Sequence, residues 1–270
     1  MPELPEVETT CRGIAPHVIG NRFTKILIHQ RQMRWPIPKT IDALKGVTVR
    51  DVSRRGKYIQ LHTDAGEAII HLGMSGSLRI AESSEPKRKH DHVEWHLNTG
   101  FILRLHDPRR FGCVLWHKAK TPPHPLLEKL GPEPLGNGFN ADYLFEQTRK
   151  RKTAIKVFIM NSHIVVGVGN IYASESLFMA GIRPGRAAGR ITRDDSERLV
   201  EAIKTVLAKS IKQGGTTLRD FVNSAGEPGY FKQQLLTYDR AGEPCRRCEQ
   251  PIKQKIMAQR STYYCSNCQR

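Results

Sequence analysis

Four cysteines set the tightest constraint on how this chain of 270 residues can fold: Cys245-x2-Cys248, sixteen intervening residues, then Cys265-x2-Cys268. Two close pairs of thiols suit tetrahedral zinc, because four thiolates complete the shell of one ion. A disulfide framework is the competing reading, and it belongs to oxidising compartments rather than to the cytosol. A ribbon this small buries too little apolar surface to fold alone, so one structural zinc ion is expected to hold it. Between the pairs, Lys253, Lys255, Gln259, Arg260, Thr262, Tyr263 and Tyr264 make a basic, aromatic hairpin. Cys11 and Cys113 stand apart and are expected to be inert packing residues.

Charge narrows the partner. Lys and Arg number 43 against 26 Asp and Glu, a formal net charge of +17, so the partner is expected to be a polyanion. Membrane phospholipid is the competing polyanion, but no basic amphipathic helix carries an aromatic face to sit in it. Nucleic acid is favoured. The cations are spread over the whole length rather than gathered in a tail, which points to a folded groove. No apolar stretch approaches the roughly 18 residues of a membrane span, and the acidic, proline-bearing start is unlike a signal peptide. A soluble cytoplasmic protein without a membrane partner is expected.

The start of the chain carries the candidate chemistry. Removal of Met1 before the small Pro2 would bare a secondary amine whose reference pKa is about 8, far below that of a lysine. Pro5 suits the first position of a helix, and Glu6 and Glu8 suit a first turn, where negative charge opposes the positive helix end. That end also depresses a nearby ammonium pKa. A neutral secondary amine attacks a carbonyl-like carbon and gives an iminium, a fixed electron sink, and Glu3 is the adjacent proton carrier. A trimmed terminus whose prolines merely set a turn is the plainer reading of these residues.

Short β-branched or aromatic segments follow: 22–29, 48–53, 58–63, 68–72, 77–80, 92–97, 101–106 and 113–116, punctuated by turns such as Asp64-Ala65-Gly66. Their spacing predicts an antiparallel sandwich. The run Thr121-Pro-Pro-His-Pro125 then breaks the pattern and reads as a linker. Helical periodicity takes over at 141–149, 153–161, 173–180 and 193–213. The third of these follows Gly167-Val-Gly-Asn170, a glycine-bearing turn suited to seat a phosphate at a helix start, though taken alone a plain turn is the more ordinary reading.

Taken together these motifs resemble the bacterial formamidopyrimidine-DNA glycosylase family over essentially the whole chain. The resemblance rests on Met1-Pro-Glu-Leu-Pro-Glu-Val-Glu-Thr9, Arg55-Gly-Lys-Tyr58, His71-Leu-Gly-Met-Ser-Gly-Ser-Leu78, Lys89-His-Asp-His92 and Asp107-Pro-Arg-Arg-Phe-Gly112. It continues through Gly131-Pro-Glu-Pro-Leu135, Val166 to Glu175, Gly214-Gly-Thr-Thr-Leu218, Pro228-Gly-Tyr-Phe231 and the four-cysteine finger. It implies an α+β multidomain chain: an N-terminal helix and antiparallel β-sandwich over 1–120, a linker over 121–135, a helix-two-turn-helix domain over 136–235, and a zinc-finger hairpin over 236–270. It also implies a monomer that holds damaged double-stranded DNA between its halves, excises oxidised purines and cleaves the strand at the abasic sugar.

The resemblance further implies roles for single residues. Pro2, Glu3, Lys57 and Arg260 are the expected catalytic set. His90, Arg109, Arg151, Lys156, Asn170 and Tyr238 are the expected DNA contacts. Met74, Arg109 and Phe111 would fill the gap left by an extruded nucleotide, and a loop over 214–231 would close on the everted base. Glu249 and Asp239 stand where glycine is common in the family, so both sites are expected to ask for positive φ. An endonuclease VIII-type enzyme for oxidised pyrimidines and a non-catalytic zinc-finger binder of damaged DNA are the alternatives. Leu4 and the Met74/Arg109/Phe111 set oppose the first, and Pro2, Glu3 and Lys57 oppose the second. A tautomerase built on the terminal proline gives no reason for the finger.

Overall fold

A computed structural model describes residues 2–216 and 234–270. The chain forms two compact units, Met1–Glu128 with Gln213–Lys232, and Lys129–Lys212 with Gln233–Arg270. Most of the expected loop over 214–231 lies outside the described residues.

The first unit begins with helix α1 (Leu4–Val18), capped at Glu3. Leu4 takes the first helical position and Pro5 the second, one place later than expected. The ring costs nothing there, because the second N–H also lacks an intrahelical partner. Glu6 stays in the first turn, where its Oε2 accepts the Glu3 N–H at 2.8 Å. Glu8 lies beyond the first turn and instead pairs with Arg12 at 2.8 Å and Arg54 at 3.1 Å.

Eight strands follow: β1 (Phe23–Ile28), β2 (Val49–Arg55), β3 (Tyr58–Thr63), β4 (Gly66–His71), β5 (Ser77–Glu82), β6 (Asp91–Leu97), β7 (Phe101–His106) and β8 (Cys113–Lys118). They form two four-stranded sheets with orders β1-β6-β7-β5 and β2-β3-β4-β8, antiparallel at every pairing. Alternation along the strands sends Ile59, Leu61, Val93, Trp95, Leu103 and Leu105 into one core shared with Val7, Ile14 and Val18 of α1. Cys11 and Cys113 are buried in this unit, and burial pushes their thiols up to about 12 and about 11, so both are inert at neutral pH. A short helix, α2 (Pro125–Glu128), follows the proline run.

The second unit contains α3 (Ala141–Thr148), α4 (Ile155–Ile159), α5 (Asn170–Ala180), α6 (Arg193–Lys212) and the ribbon of β9 (Lys253–Met257) and β10 (Arg260–Tyr264). Helix α4 is shorter than its periodicity suggests. Helix α5 begins at Asn170, three residues earlier than expected. Nearly every residue of α5 is buried, so it has no amphipathic stripe to mark its start. Asp239 and Glu249 have φ of 62° and 63°, as their positions in the sequence led one to expect. Among the described residues no helix is long and apolar enough to cross a membrane.

Candidate active site and metal centre

In the first unit, Pro2 and Glu3 are buried at the positive end of α1. Glu6 organises this end from within. One carboxylate oxygen takes the Glu3 N–H, and the other takes the Thr216 N–H at 2.7 Å. Gly215, with φ 87°, lies so close that a Cβ there would sit 3.1 Å from Glu6 Oε1. The start of the chain and the segment leading into residue 217 therefore share one buried carboxylate.

Lys57 sits on the turn between β2 and β3, where Gly56 adopts φ 57°. Arg54 ties that turn to α1: its Nη1 donates to the Gly56 carbonyl at 2.9 Å while its Nε meets Glu8. Burial pulls the Glu8 carboxyl up, but hydrogen bonds and charge from Arg12 and Arg54 outweigh it and hold the group below its ordinary range. Beside Lys57 lies His71, which the sequence reading passed over. Its Nδ1 accepts the Gly73 N–H at 2.9 Å, so the neutral ring carries its proton on Nε2. Burial, then the charges of Lys57 and Arg34, push its pKa down to about 4.

The three expected inserting residues are brought together. Met74 lies in the turn between β4 and β5 and is 37% exposed; Phe111 is 44% exposed, and the Arg109 guanidinium stands 4.8 Å over its ring. Exposed apolar side chains of this size are an unpaid solvation cost unless something covers them. The two loops touch backbone to backbone, since a Cβ on Gly73 would lie 2.4 Å from the Gly112 nitrogen. Asp107, fully buried, fixes the second loop through the Gly112 N–H at 2.8 Å. His90 stands at the foot of this loop, its ring 5.9 Å from His106, whose Nδ1 binds the buried Asp91 at 2.9 Å.

In the second unit, Lys156 is only 1% exposed. Its ammonium donates to Asn170 Oδ1 at 2.6 Å, Thr262 Oγ1 at 2.8 Å and the Ser261 carbonyl at 3.1 Å. Asn170 also donates to Ser261 O at 3.0 Å and reaches the Tyr238 hydroxyl at 3.5 Å. Lys156, Asn170 and Tyr238 thus form one polar hub that joins α4, α5 and the ribbon. Glu175, unmarked in the sequence reading, seats Tyr238. Its buried carboxylate accepts the N–H groups of Leu236, Thr237 and Tyr238 at 2.8, 2.9 and 2.8 Å. Arg151, Lys156, Met257 and Arg260 line a cleft of about 700 Å³.

Arg260 follows a two-residue turn in which Ala258 and Gln259 have φ of 45° and 60°. A type I′ turn needs such angles, and glycine or asparagine usually supplies them. Behind the ribbon, the sulfurs of Cys245, Cys248, Cys265 and Cys268 all lie within 4.8 Å of one another, with 3.9 Å between Cys245 and Cys268 and 3.4 Å between Cys248 and Cys265. Four thiolates at Zn–S of about 2.3 Å stand about 3.8 Å apart in a tetrahedron, so the cluster fits one structural zinc ion.

Comparison with known proteins agrees across the chain. Family models match residues 1–114 (formamidopyrimidine-DNA glycosylase N-terminal domain), 130–222 (formamidopyrimidine-DNA glycosylase H2TH domain) and 242–270 (zinc finger found in FPG and IleRS). Proteins named formamidopyrimidine-DNA glycosylase from Thioalkalivibrio sulfidiphilus and Cellvibrio japonicus are 59% and 56% identical over the full length of both chains. The crystal structure of the Thermus thermophilus MutM (Fpg) protein aligns with a TM-score of 0.89 at 35% identity, covering 99% of this chain and 98% of that one. A Lactococcus lactis Fpg variant in complex with Fapy-dG containing DNA aligns at 0.92 and 32%, covering 99% of each.

Proposed function

Because this chain belongs to the formamidopyrimidine-DNA glycosylase family, we infer that it excises oxidised purines from duplex DNA and then cleaves the strand at the vacated sugar. The observation that carries the reading is the burial of Pro2 and Glu3 together at the positive end of α1.

The secondary amine of Pro2 attacks C1′ of the damaged nucleoside while the bond from C1′ to the base breaks, and the base leaves with a proton. Opening of the sugar ring gives an iminium between Pro2 and C1′. Glu3 moves protons at the sugar. Lys57, beside the neutral His71, contacts the damaged nucleotide. The positive iminium acidifies the C2′ hydrogen, so its loss expels the 3′ phosphate, and a second elimination expels the 5′ phosphate.

A base inside the stack is beyond reach, so the nucleotide is swung out and Met74, Arg109 and Phe111 occupy the gap. Covering those exposed apolar groups with base faces repays part of the unstacking. Arg109 offers hydrogen bonds to the orphaned base, and His90 binds backbone phosphate. In the second unit Arg151, Asn170 and Tyr238 position phosphate without reading sequence, Lys156 holds Asn170 in place through its buried ammonium, and Arg260 grips the phosphate at the lesion. The four thiolates hold one structural zinc ion, which supplies folding free energy to the ribbon. Residues 1–120 are thereby the catalytic domain, 136–235 the DNA-binding domain with the base-closing loop, and 236–270 the finger. The protein works as a cytoplasmic monomer on the nucleoid.

Borohydride should trap a covalent adduct between Pro2 and duplex carrying 8-oxoguanine opposite cytosine, and peptide mapping places it. An N-terminal extension should abolish both trapping and strand cleavage. Faster cutting at thymine glycol would favour the oxidised-pyrimidine alternative instead.

A further inference from the structure

The ribbon carries a second basic basin. In the pairing of β9 with β10, Met257 faces Arg260, Lys255 faces Thr262 and Lys253 faces Tyr264, which places these six side chains on one face. On that face, a recess of about 390 Å³ is lined by Arg183, Arg186, Lys255, Met257, Tyr264 and Arg270. Met257 also lines the cleft that contains Arg151, Lys156 and Arg260, so it forms a wall common to both. The wall is seated by Gly185, where a Cβ would come within 3.1 Å of the Met257 methyl carbon.

The cations of this recess are held in place but poorly neutralised. The Arg183 guanidinium lies 5.7 Å over the Tyr264 ring, and its backbone N–H binds the Arg270 oxygen at 2.8 Å. Arg186 spends one nitrogen on Asp195 at 3.0 Å and on the Arg190 carbonyl at 2.7 Å. Lys255 and Arg183 make no ion pair with an acidic group among the described residues. Like charges gathered this way raise the local potential and favour a polyanion over a single small ion.

We propose that this recess is a second phosphodiester site, which holds the DNA backbone beyond the phosphate gripped by Arg260. The inference rests on the proposed role of Arg260 and extends its track along the ribbon. Lys255 lies two residue pairs from the Arg260 pair and Tyr264 four, or about 7 to 14 Å at roughly 3.4 Å per residue. A strand of B-DNA advances about 3.4 Å along the axis per nucleotide, and its successive phosphates lie farther apart than that, so the recess meets the backbone within about four base pairs.

The test uses the full-length, zinc-loaded protein with Arg183→Ala and Lys255→Ala, singly and together. Binding is measured on an uncleavable duplex of about 30 base pairs carrying a tetrahydrofuran abasic analogue, from about 50 to 200 mM salt. Each charge removed should lower the slope of log affinity against log salt by about 0.9, so the double variant should lose nearly 2. Trimming the duplex to one base pair beyond the analogue, on one side or the other, should erase the difference between variant and wild type for one of the two sides. Excision of 8-oxoguanine at saturating protein should keep its single-turnover rate. Arg183→Lys with Lys255→Arg should restore the slope, which a misfolded ribbon would not allow. An unchanged slope on the long duplex, or an equal loss on both trimmed ones, overturns the proposal. Competition by millimolar inorganic phosphate that cancels the difference at every duplex length also overturns it, in favour of a small-anion site. Should the wild type itself fail to excise 8-oxoguanine, the enzymatic reading fails; should only the slopes stay equal, this inference fails alone.

Discussion

In the sandwich, Ile59, Leu61, Val93, Trp95 and Leu103 meet across two sheets and are wholly buried, whereas among the described residues the cluster behind the ribbon buries five side chains, Phe178, Cys245, Ile252, Tyr263 and Cys265, with Leu236, Tyr238, Cys248 and Cys268 partly buried against it. Two of those five are metal ligands. The first region is held together by apolar burial, at about 25 cal/mol per Å² buried. The second has a hub of polar bonds and a cysteine cluster in its place, and its order depends on the ion those cysteines bind. Under the proposed function the contrast separates two jobs: the sandwich would hold the reacting nitrogen and the inserting loops, and the ribbon would hold phosphate.

The largest effect should come from removing the metal. All three tryptophans, Trp35, Trp95 and Trp116, belong to the first unit, so their fluorescence reports on the sandwich alone. Chelation should abolish DNA binding, a loss on the order of 10³ in affinity, while tryptophan emission stays native. Parallel loss of both signals would break the contrast. Leu103→Ala probes the opposite end. It empties a fully buried site and should cost about 3 kcal/mol in urea unfolding followed by tryptophan emission, without releasing zinc.

Acid should sharpen the comparison further. His71 titrates near 4 when folded, against 6.5 as its reference value, so falling pH protonates the unfolded chain first. Its contribution is whole above about pH 6.5 and is withdrawn as the pH drops toward 4, by roughly 2 to 3 kcal/mol. The urea midpoint of the sandwich should follow that window, and His71→Asn should flatten it. The smallest effect belongs to the finger: Glu249→Gly relieves a φ of 63° and should stabilise it by about 1 kcal/mol, read as a slower release of zinc to a chelator.

Much of this was legible in the residues. Strands β3 and β7 begin and end where alternation and turn residues place them, and the four cysteines converge as their spacing requires. The positive φ of Asp239 and Glu249 followed from glycine being common at those positions. Other features depend on partners far along the chain and leave no local mark. Lys156 looks like any basic residue of a helix until Thr262, 106 positions later, closes on it. Glu175 and Asp107 read as ordinary acids, though each accepts backbone N–H groups of a loop. The positive φ of Ala258 and Gln259 carries no glycine or asparagine signal. The 3-10 turn Lys39–Leu44 went unread for want of periodicity in so short a piece.

The close approach of Gly73 to Gly112 has a consequence for how DNA is searched. In the proposed insertion, segments pressed together without intervening side chains would move as one body, so Met74 and Phe111 would enter a base step in a single event rather than as two independent excursions. Interrogating each step would then take one displacement, and its frequency, rather than side-chain reshuffling, would set the pace at which a sliding molecule samples intact sequence.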